Sequence, residues 1–120
     1  VVPYAVGVDI ACRVKLSILD MDEKELKNID VFKNAIDKET RFGAGSAFAD
    51  NERFEHPILD QEGWDLIPMD KEIAANQLGT SGGGNHFVDF GIIRYKEYKS
   101  KLAILSHSGS RGAGARTCEK

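Results

Sequence analysis

Three consecutive glycines at residues 82–84 constrain this chain more than any other stretch of its sequence. They lie in LGTSGGGNHFVDF, directly before an Asn-His pair formed by Asn85 and His86. Glycine loses more backbone entropy on folding than any other residue, so a run of three is costly to order. The stretch therefore predicts a turn with positive φ angles, or a ligand that comes too close to the backbone for a Cβ atom.

The patterns on either side of the glycines predict an α+β chain with mixed sheet layers and flanking helices. Val14, Leu16 and Ile18 alternate with polar residues, as in a half-exposed strand. Asp70 before an apolar-periodic segment and Gly79 after it mark the two ends of a short helix. The remaining predicted elements are strands over 1–12, 85–95 and 102–106, an amphipathic helix over 20–39, a mostly irregular segment over 40–64, and a glycine-rich loop starting a helix after 107.

Composition limits the class of protein. The chain has 120 residues, 42% of them hydrophobic, which is enough for a single domain over 1–120 with its own core. The formal net charge of -3 predicts no bulk attraction to nucleic acid, and no apolar run is long enough for a membrane span. Two cysteines favour a reduced, cytoplasmic protein over a disulfide scaffold. The chain starts without Met in a predicted strand and stops in a predicted helix, so we expect a portion of a longer protein.

Four side chains at the ends of predicted strands form a candidate metal site: Asp9, Cys12, His86 and His107. If those strands are neighbours, one sheet edge presents a carboxylate, a thiolate and two imidazoles. These donors suit borderline first-row metals, and the ligand types alone favour zinc. The alternative is that the histidines are hydrogen-bonded structural residues and the cysteine belongs to the core.

Two glycine-rich loops suit a phosphate group. In the first, successive backbone N–H groups near Gly83 and Gly84 can form an anion-binding nest. In the second, HSGSRGAGA, a helix start combines Ser110 with Arg111. Neither loop is a Walker A motif, because no G-K-[ST] follows, and the first precedes a strand, unlike a dinucleotide-binding fingerprint. For either loop alone, a tight turn remains the competing interpretation.

Three segments taken together resemble a known family. GVDIACRVK, LGTSGGGNHFVDF and LSHSGSRGAG are similar, in this order, to three signature blocks of the RtcB family of RNA-splicing ligases. The resemblance implies an enzyme that joins an RNA 3′-phosphate or 2′,3′-cyclic phosphate to a 5′-hydroxyl, using GTP and manganese through a guanylylated histidine. The implied partners are tRNA or damaged RNA ends.

The resemblance also implies roles for matched positions. Asp9, Cys12 and His86 match the ligands of one manganese ion, and Cys12 and His107 match ligands of a second, with the thiolate bridging. The positions that match the GTP site are Asn85 beside the phosphates, and Phe87 and Asp89 in the guanine-nucleotide pocket.

The chain departs from the family pattern at three points. Arg13 replaces the glycine that usually follows the cysteine, and Asp89 replaces a glutamate. No residue matches the guanylylated histidine, which is expected downstream, and His56 precedes the Asn-His block. A zinc-dependent phosphatase or hydrolase, a non-catalytic metal-stabilised domain and a relative that has lost ligation therefore remain alternatives.

Overall fold

The computed structural model describes residues 12–96, 99–109 and 111–118, without the side chain of Arg111, and these residues form a small α+β structure. The predicted fold class is confirmed, while the predicted first strand lies mostly outside the described residues. Within them, the sheet has strands β1 (Arg13–Asp22), β2 (Phe87–Ile93) and β3 (Lys101–Ser108). The α-helices are α1 (Ile29–Glu39), α2 (Lys71–Gln77) and α3 (Arg111–Cys118), and short 3-10 turns span Glu23–Lys27, Pro57–Asp60 and Trp64–Leu66.

The order of the strands brings three chain positions to one edge. β3 lies between β1 and β2 and is antiparallel to both. His107 near the end of β3 pairs with Val14 near the start of β1 and with Phe87 at the start of β2. We call this the site edge: residues 12–14, 86–88 and 106–108. The opposite end of the sheet, with residues 20–23, 93–94 and 101, is the outer end.

The helix predicted over 20–39 is wrong over residues 20–28, nearly half of its length. β1 continues to Asp22, which pairs with Lys101 of β3. The Asp22 side chain then accepts a hydrogen bond from the Lys24 amide at 3.1 Å and starts a 3-10 turn. Asn28, with φ -95° and ψ 76°, separates this turn from α1. Strand pairing and a local side-chain cap thus prevail over the helical spacing of the apolar residues.

Strand alternation assigns the side chains of the sheet to two faces. The α1 face carries Val88, Phe90 and Ser106, and α1 packs here through Phe32, whose ring centroid lies 4.8 Å from that of Phe90. The Phe87 face carries Phe87 and His107, together with Val14 and Leu16 of β1. The predicted alternation of β1 is confirmed, but its apolar side chains are open to solvent, with Val14 63% exposed.

Helix α2 begins and ends where its capping residues, Asp70 and Gly79, predict. The Asp70 carboxylate accepts a hydrogen bond from the Glu72 amide at 2.9 Å, and Gly79 adopts φ +83° beyond the last turn. Ala75 in this helix and Leu102 in β3 are among the most buried side chains. After α2 the chain runs into the glycine-rich segment of residues 79–85, which we call the glycine loop.

Candidate functional site

A thiol and two imidazoles meet at the site edge. The Sγ atom of Cys12 lies 3.6 Å from Nε2 of His86 and 2.6 Å from Nε2 of His107. Cys12 immediately precedes β1, His86 immediately precedes β2, and His107 lies near the end of β3. The antiparallel pairing on both sides of β3 brings these positions together, as the strand-end argument predicts.

Both imidazole rings are oriented by backbone carbonyls. Nδ1–H of His86 donates to the carbonyl of Ser81 at 2.8 Å, and Nδ1–H of His107 donates to the carbonyl of Asn85 at 3.0 Å. A carbonyl oxygen only accepts, so the proton of each ring lies on Nδ1. Nε2 of each ring then faces Cys12, and in a neutral ring its lone pair could bind a metal ion there. Metal-binding histidines are typically held in this way.

The donor set suits a first-row metal ion. When one tetrahedral ion binds a sulfur atom at about 2.3 Å and a nitrogen atom at about 2.1 Å, the sulfur and the nitrogen lie about 3.6 Å apart. The Cys12–His86 separation matches this spacing, while the Cys12–His107 contact is shorter. No group of three or more His, Cys, Asp or Glu side chains within the described ranges has the arrangement of a metal site. Asp9 lies outside those ranges, and the metal role of all four residues stays a prediction.

The glycine triplet has a local structural reason. Gly82 and Gly84 adopt φ +74° and +75°, which confirms the predicted positive-φ turn. A Cβ atom on Gly82 would lie 3.0 Å from Nδ1 of His86, and one on Gly83 would lie 3.1 Å from the backbone nitrogen of Ala44. The close neighbours of the first two glycines are therefore the histidine ring and a second loop. The phosphate-binding role of Gly83 and Gly84 stays a prediction.

That second loop, residues 40–46, holds the glycine loop in place through its backbone. The Gly43 amide donates to the carbonyl of Gly82, and the Ser81 amide donates to the carbonyl of Arg41, both at 2.9 Å. The Thr40 hydroxyl donates to the carbonyl of Gly79 at 3.2 Å and lies 3.1 Å from the Ser81 hydroxyl. Sequence reasoning treated 40–46 as irregular loop and missed this support, because most of these contacts involve backbone atoms.

The positions matched to a nucleotide pocket lie on the Phe87 face or beside it. Phe87 is half-buried, and its ring centroid lies 5.5 Å from that of His107. Asp89, two residues further along β2, is exposed on the same face. Asn85, in the loop before β2, is also exposed. In the second predicted phosphate loop, Ser110 lies outside the described residues, and Arg111 begins α3. Their roles are not tested by this arrangement.

A cleft of about 420 Å³ lies on the other side of the sheet, between the α1 face, helix α1 and the glycine loop. We call it the α1 cleft. Its apolar part includes Val88, Phe90 and Ile36. Hydroxyl groups line the part contributed by loop 40–46, the glycine loop and the end of β3: Thr40, Thr80, Ser81, Ser106 and Ser108. The sequence pattern gave no indication of this cleft, because its walls come from four separate segments.

The two described groups whose pKa is shifted, Asp20 and Arg53, are not part of the site edge. The hydrogen bond and charge of Lys101 lower the pKa of Asp20, and those of Glu72 raise the pKa of Arg53. Among the described residues, no helix has the length and apolar character needed to cross a membrane.

Comparison with known proteins gives consistent matches. The family described as tRNA-splicing ligase RtcB matches residues 65–120. The chain is 27% identical to the tRNA-splicing ligase RtcB of Nanoarchaeum equitans, over 95% of the chain and 33% of that protein. It is 28% identical to the RNA-splicing ligase RtcB of Escherichia coli K12, over 95% of the chain and 31% of that protein.

The RNA-splicing ligase RtcB homolog 1 of Entamoeba histolytica is 26% identical, over 98% of the chain and 30% of that protein. No solved structure matches the chain. The chain thus spans about a third of the length of the curated relatives it matches.

Proposed function

We propose that this chain, which is similar to the RtcB family, is a member of it and forms part of the metal and GTP site of an RNA ligase. The proposed enzyme joins RNA 3′-phosphate or 2′,3′-cyclic phosphate ends to 5′-hydroxyl ends, using GTP and two manganese ions. The observation that supports this proposal best is the meeting of Cys12, His86 and His107 at the site edge.

In this proposal Cys12, His86 and His107 hold manganese together with Asp9. The bound metal supplies Lewis-acid stabilisation of charge on phosphate oxygens. The carbonyls of Ser81 and Asn85 keep the Nδ1 proton on each histidine and direct Nε2 to the metal side. The protein thereby fixes the ligand geometry in advance, which is its main contribution at such a site.

The proposed nucleotide-binding residues surround this centre. The exposed Asp89 carboxylate offers acceptors for the N–H groups of a guanine edge, and Phe87 offers an aromatic surface. Asn85 is proposed to lie beside the phosphates, together with backbone N–H groups at Gly83 and Gly84 and the side chains of Ser110 and Arg111. This arrangement would provide oriented donors for phosphate oxygens.

The 120 residues are expected to bind the nucleotide without becoming guanylylated. None of the three histidines matches the family's guanylylated position. His56 instead accepts a hydrogen bond from the Ile58 amide at 3.1 Å and caps a 3-10 turn. Incubation with labelled GTP is therefore expected to give no covalent label on this chain.

Titration calorimetry of Mn²⁺ into the metal-free chain tests the proposal. We expect binding by the wild type, loss of binding in Cys12→Ala, and GTP binding that requires the metal. Cys118→Ala is the matched control, because this cysteine lies in α3. Circular dichroism verifies that each variant is folded.

Two outcomes contradict the proposal. Tight zinc binding without GTP binding would favour a hydrolase or a metal-stabilised domain. Equal Mn²⁺ affinity in the wild type and in Cys12→Ala would remove the thiolate from the metal site.

A further inference from the structure

Two cations of β1 lie beside two hydroxyl groups of β3 on the α1 face. Arg13 pairs with Ser108 and Lys15 pairs with Ser106 in the strand register. Alternate residues of a strand project from the same face about 6.6 Å apart, and directly opposed residues are neighbours. Both hydroxyls also line the α1 cleft. A strip of positive charge therefore borders the hydroxyl-rich part of this cleft.

The cations are available to a ligand. None of the ion pairs among the described residues involves Arg13 or Lys15, and both are exposed. The Arg13 guanidinium donates to the backbone carbonyl of Cys12 at 3.1 Å and keeps further N–H donors for a ligand. Positive charge thus faces solvent at the start of β1.

The α1 cleft combines apolar and hydroxyl surface, as a nucleoside does. Phe90 and Val88 offer surface for a base, and the hydroxyls of Ser106 and Thr80 offer hydrogen bonds to a ribose. The carboxylate of Glu39 also lines the cleft, on the α1 side. A carboxylate disfavours a phosphate beside it and favours N–H or O–H donors. The phosphates of an occupant are thereby directed away from α1, towards Arg13 and Lys15.

The cleft and the proposed nucleotide pocket use opposite faces of the same sheet. Phe87 and Asp89 belong to the Phe87 face, whereas Ser106 and Ser108 belong to the α1 face. The α1 cleft therefore provides a place for a second substrate that does not overlap the proposed nucleotide pocket.

We propose that the α1 cleft binds the terminal nucleotide of a single RNA strand, with its phosphates held by Arg13 and Lys15. This inference rests on the proposed function for the identity of the ligand, and on the register and the cleft for its location.

Fluorescence anisotropy with the complete 120-residue chain tests the inference. The probe is an eight-nucleotide single-stranded RNA with a 5′-fluorescein and a 3′-phosphate, without metal. Lys15→Glu is expected to bind roughly tenfold more weakly and to reduce the salt slope by about 0.7, the loss of one phosphate contact on a single strand. Lys71→Glu is the matched control, because it makes the same charge change at the start of α2, and we expect its affinity to stay within about twofold of the wild type.

A second variant tests the cleft independently of charge. Ser106→Val keeps a strand-forming residue but adds apolar bulk to the cleft, and it is expected to weaken RNA binding roughly fivefold with an unchanged salt slope. Circular dichroism and thermal melts are used to compare folding with the wild type.

The possible results separate this inference from the proposed function. Equal losses in Lys15→Glu and Lys71→Glu, unchanged binding in Ser106→Val, or no RNA binding by the wild type each overturns the inference. Loss of Mn²⁺-dependent GTP binding in Ser106→Val, with RNA binding retained, would place GTP in the cleft instead. If Mn²⁺ fails to bind while the RNA effects hold, the proposed function fails and the cleft assignment stands.

Discussion

The two ends of the sheet are stabilised in different ways. Beside the site edge, backbone hydrogen bonds join loop 40–46 to the glycine loop, and His86 at the edge is only 8% exposed. At the outer end, the sheet is bordered by ion pairs between long side chains, Lys101 with Asp20 and Arg94 with Glu23. Exposed ion pairs contribute little to stability, because solvent screens them and the side chains lose entropy.

This difference indicates which end of the molecule tolerates change. A backbone-held loop has few ways to adjust, so a small alteration is transmitted to the imidazole that it supports. An ion pair in solvent is replaced by water at little cost. We therefore expect substitutions at the site edge to alter both stability and ligand geometry, and substitutions at the outer end to alter neither by much.

The largest expected effect is that of Phe48→Ala. Phe48 is 4% exposed, its ring meets that of Phe54 edge-on at 5.2 Å, and the Arg41 guanidinium lies 4.6 Å above it. Its loss creates a cavity beside Gly79 and is expected to reduce the free energy of unfolding by about 3–5 kcal/mol. Urea denaturation followed by circular dichroism measures the change.

The matched control for this variant is Phe32→Ala. Phe32 is half-buried between α1 and the sheet, so we expect a smaller loss of stability than for Phe48→Ala. An equal or larger loss of unfolding free energy in Phe32→Ala would contradict the prediction that the packing around Phe48 contributes more to stability than the contact between α1 and the sheet.

The next effect is that of Gly82→Ala. The added methyl group combines an unfavourable φ of +74° with a contact 3.0 Å from Nδ1 of His86. We expect a loss of about 1–3 kcal/mol in unfolding free energy, and at least a severalfold weaker Mn²⁺ affinity because the ring is displaced. Gly91→Ala is the control, since a Cβ atom there has no neighbour within 4 Å. Similar Mn²⁺ affinities for the two variants would show that Gly82 does not position His86.

Much of this arrangement is predictable because it follows from local chemistry. Asp70 and Gly79 mark the ends of α2, and the alternation of Val14 with Lys15 identifies β1. The meeting of Cys12 with the two histidines follows from strand ends, once β3 pairs with both neighbours in antiparallel order. The predicted helix starts too early because Asp22 caps a 3-10 turn and Asn28 separates that turn from α1.

Other features cannot be predicted because they arise from contacts between distant backbone segments. The docking of residues 40–46 on the glycine loop leaves no periodic pattern, since carbonyl and N–H groups are common to nearly all residues. Two further features, the exposure of Val14 and the presence of the α1 cleft, also depend on which segments cover each face of the sheet.

Thr40→Val tests how much of the docking depends on one side chain. The substitution removes the hydrogen bond to the carbonyl of Gly79 and the contact with the buried Ser81 hydroxyl. We expect a loss of about 1–2 kcal/mol in unfolding free energy. Thr117→Val is the control, because its exposed hydroxyl donates only to the carbonyl of Ala113 within α3, and its effect is expected to be smaller. No difference between the two variants would show that backbone contacts alone hold the loop.

The smallest expected effect is at the outer end, where Asp20→Asn removes the ion pair with Lys101. The hydrogen bond and charge of Lys101 lower the pKa of Asp20 from its ordinary value of 3.8. A carboxyl whose pKa is lower in the folded state stabilises the fold above the unfolded pKa, and this contribution is lost as the pH falls through the folded pKa. The stability advantage of the wild type over Asp20→Asn is therefore expected to shrink below about pH 4, whereas Mn²⁺ affinity at neutral pH should be the same in both proteins. Urea midpoints measured between pH 2 and pH 7 test this, and a constant difference across that range would mean that the ion pair does not couple Asp20 to folding.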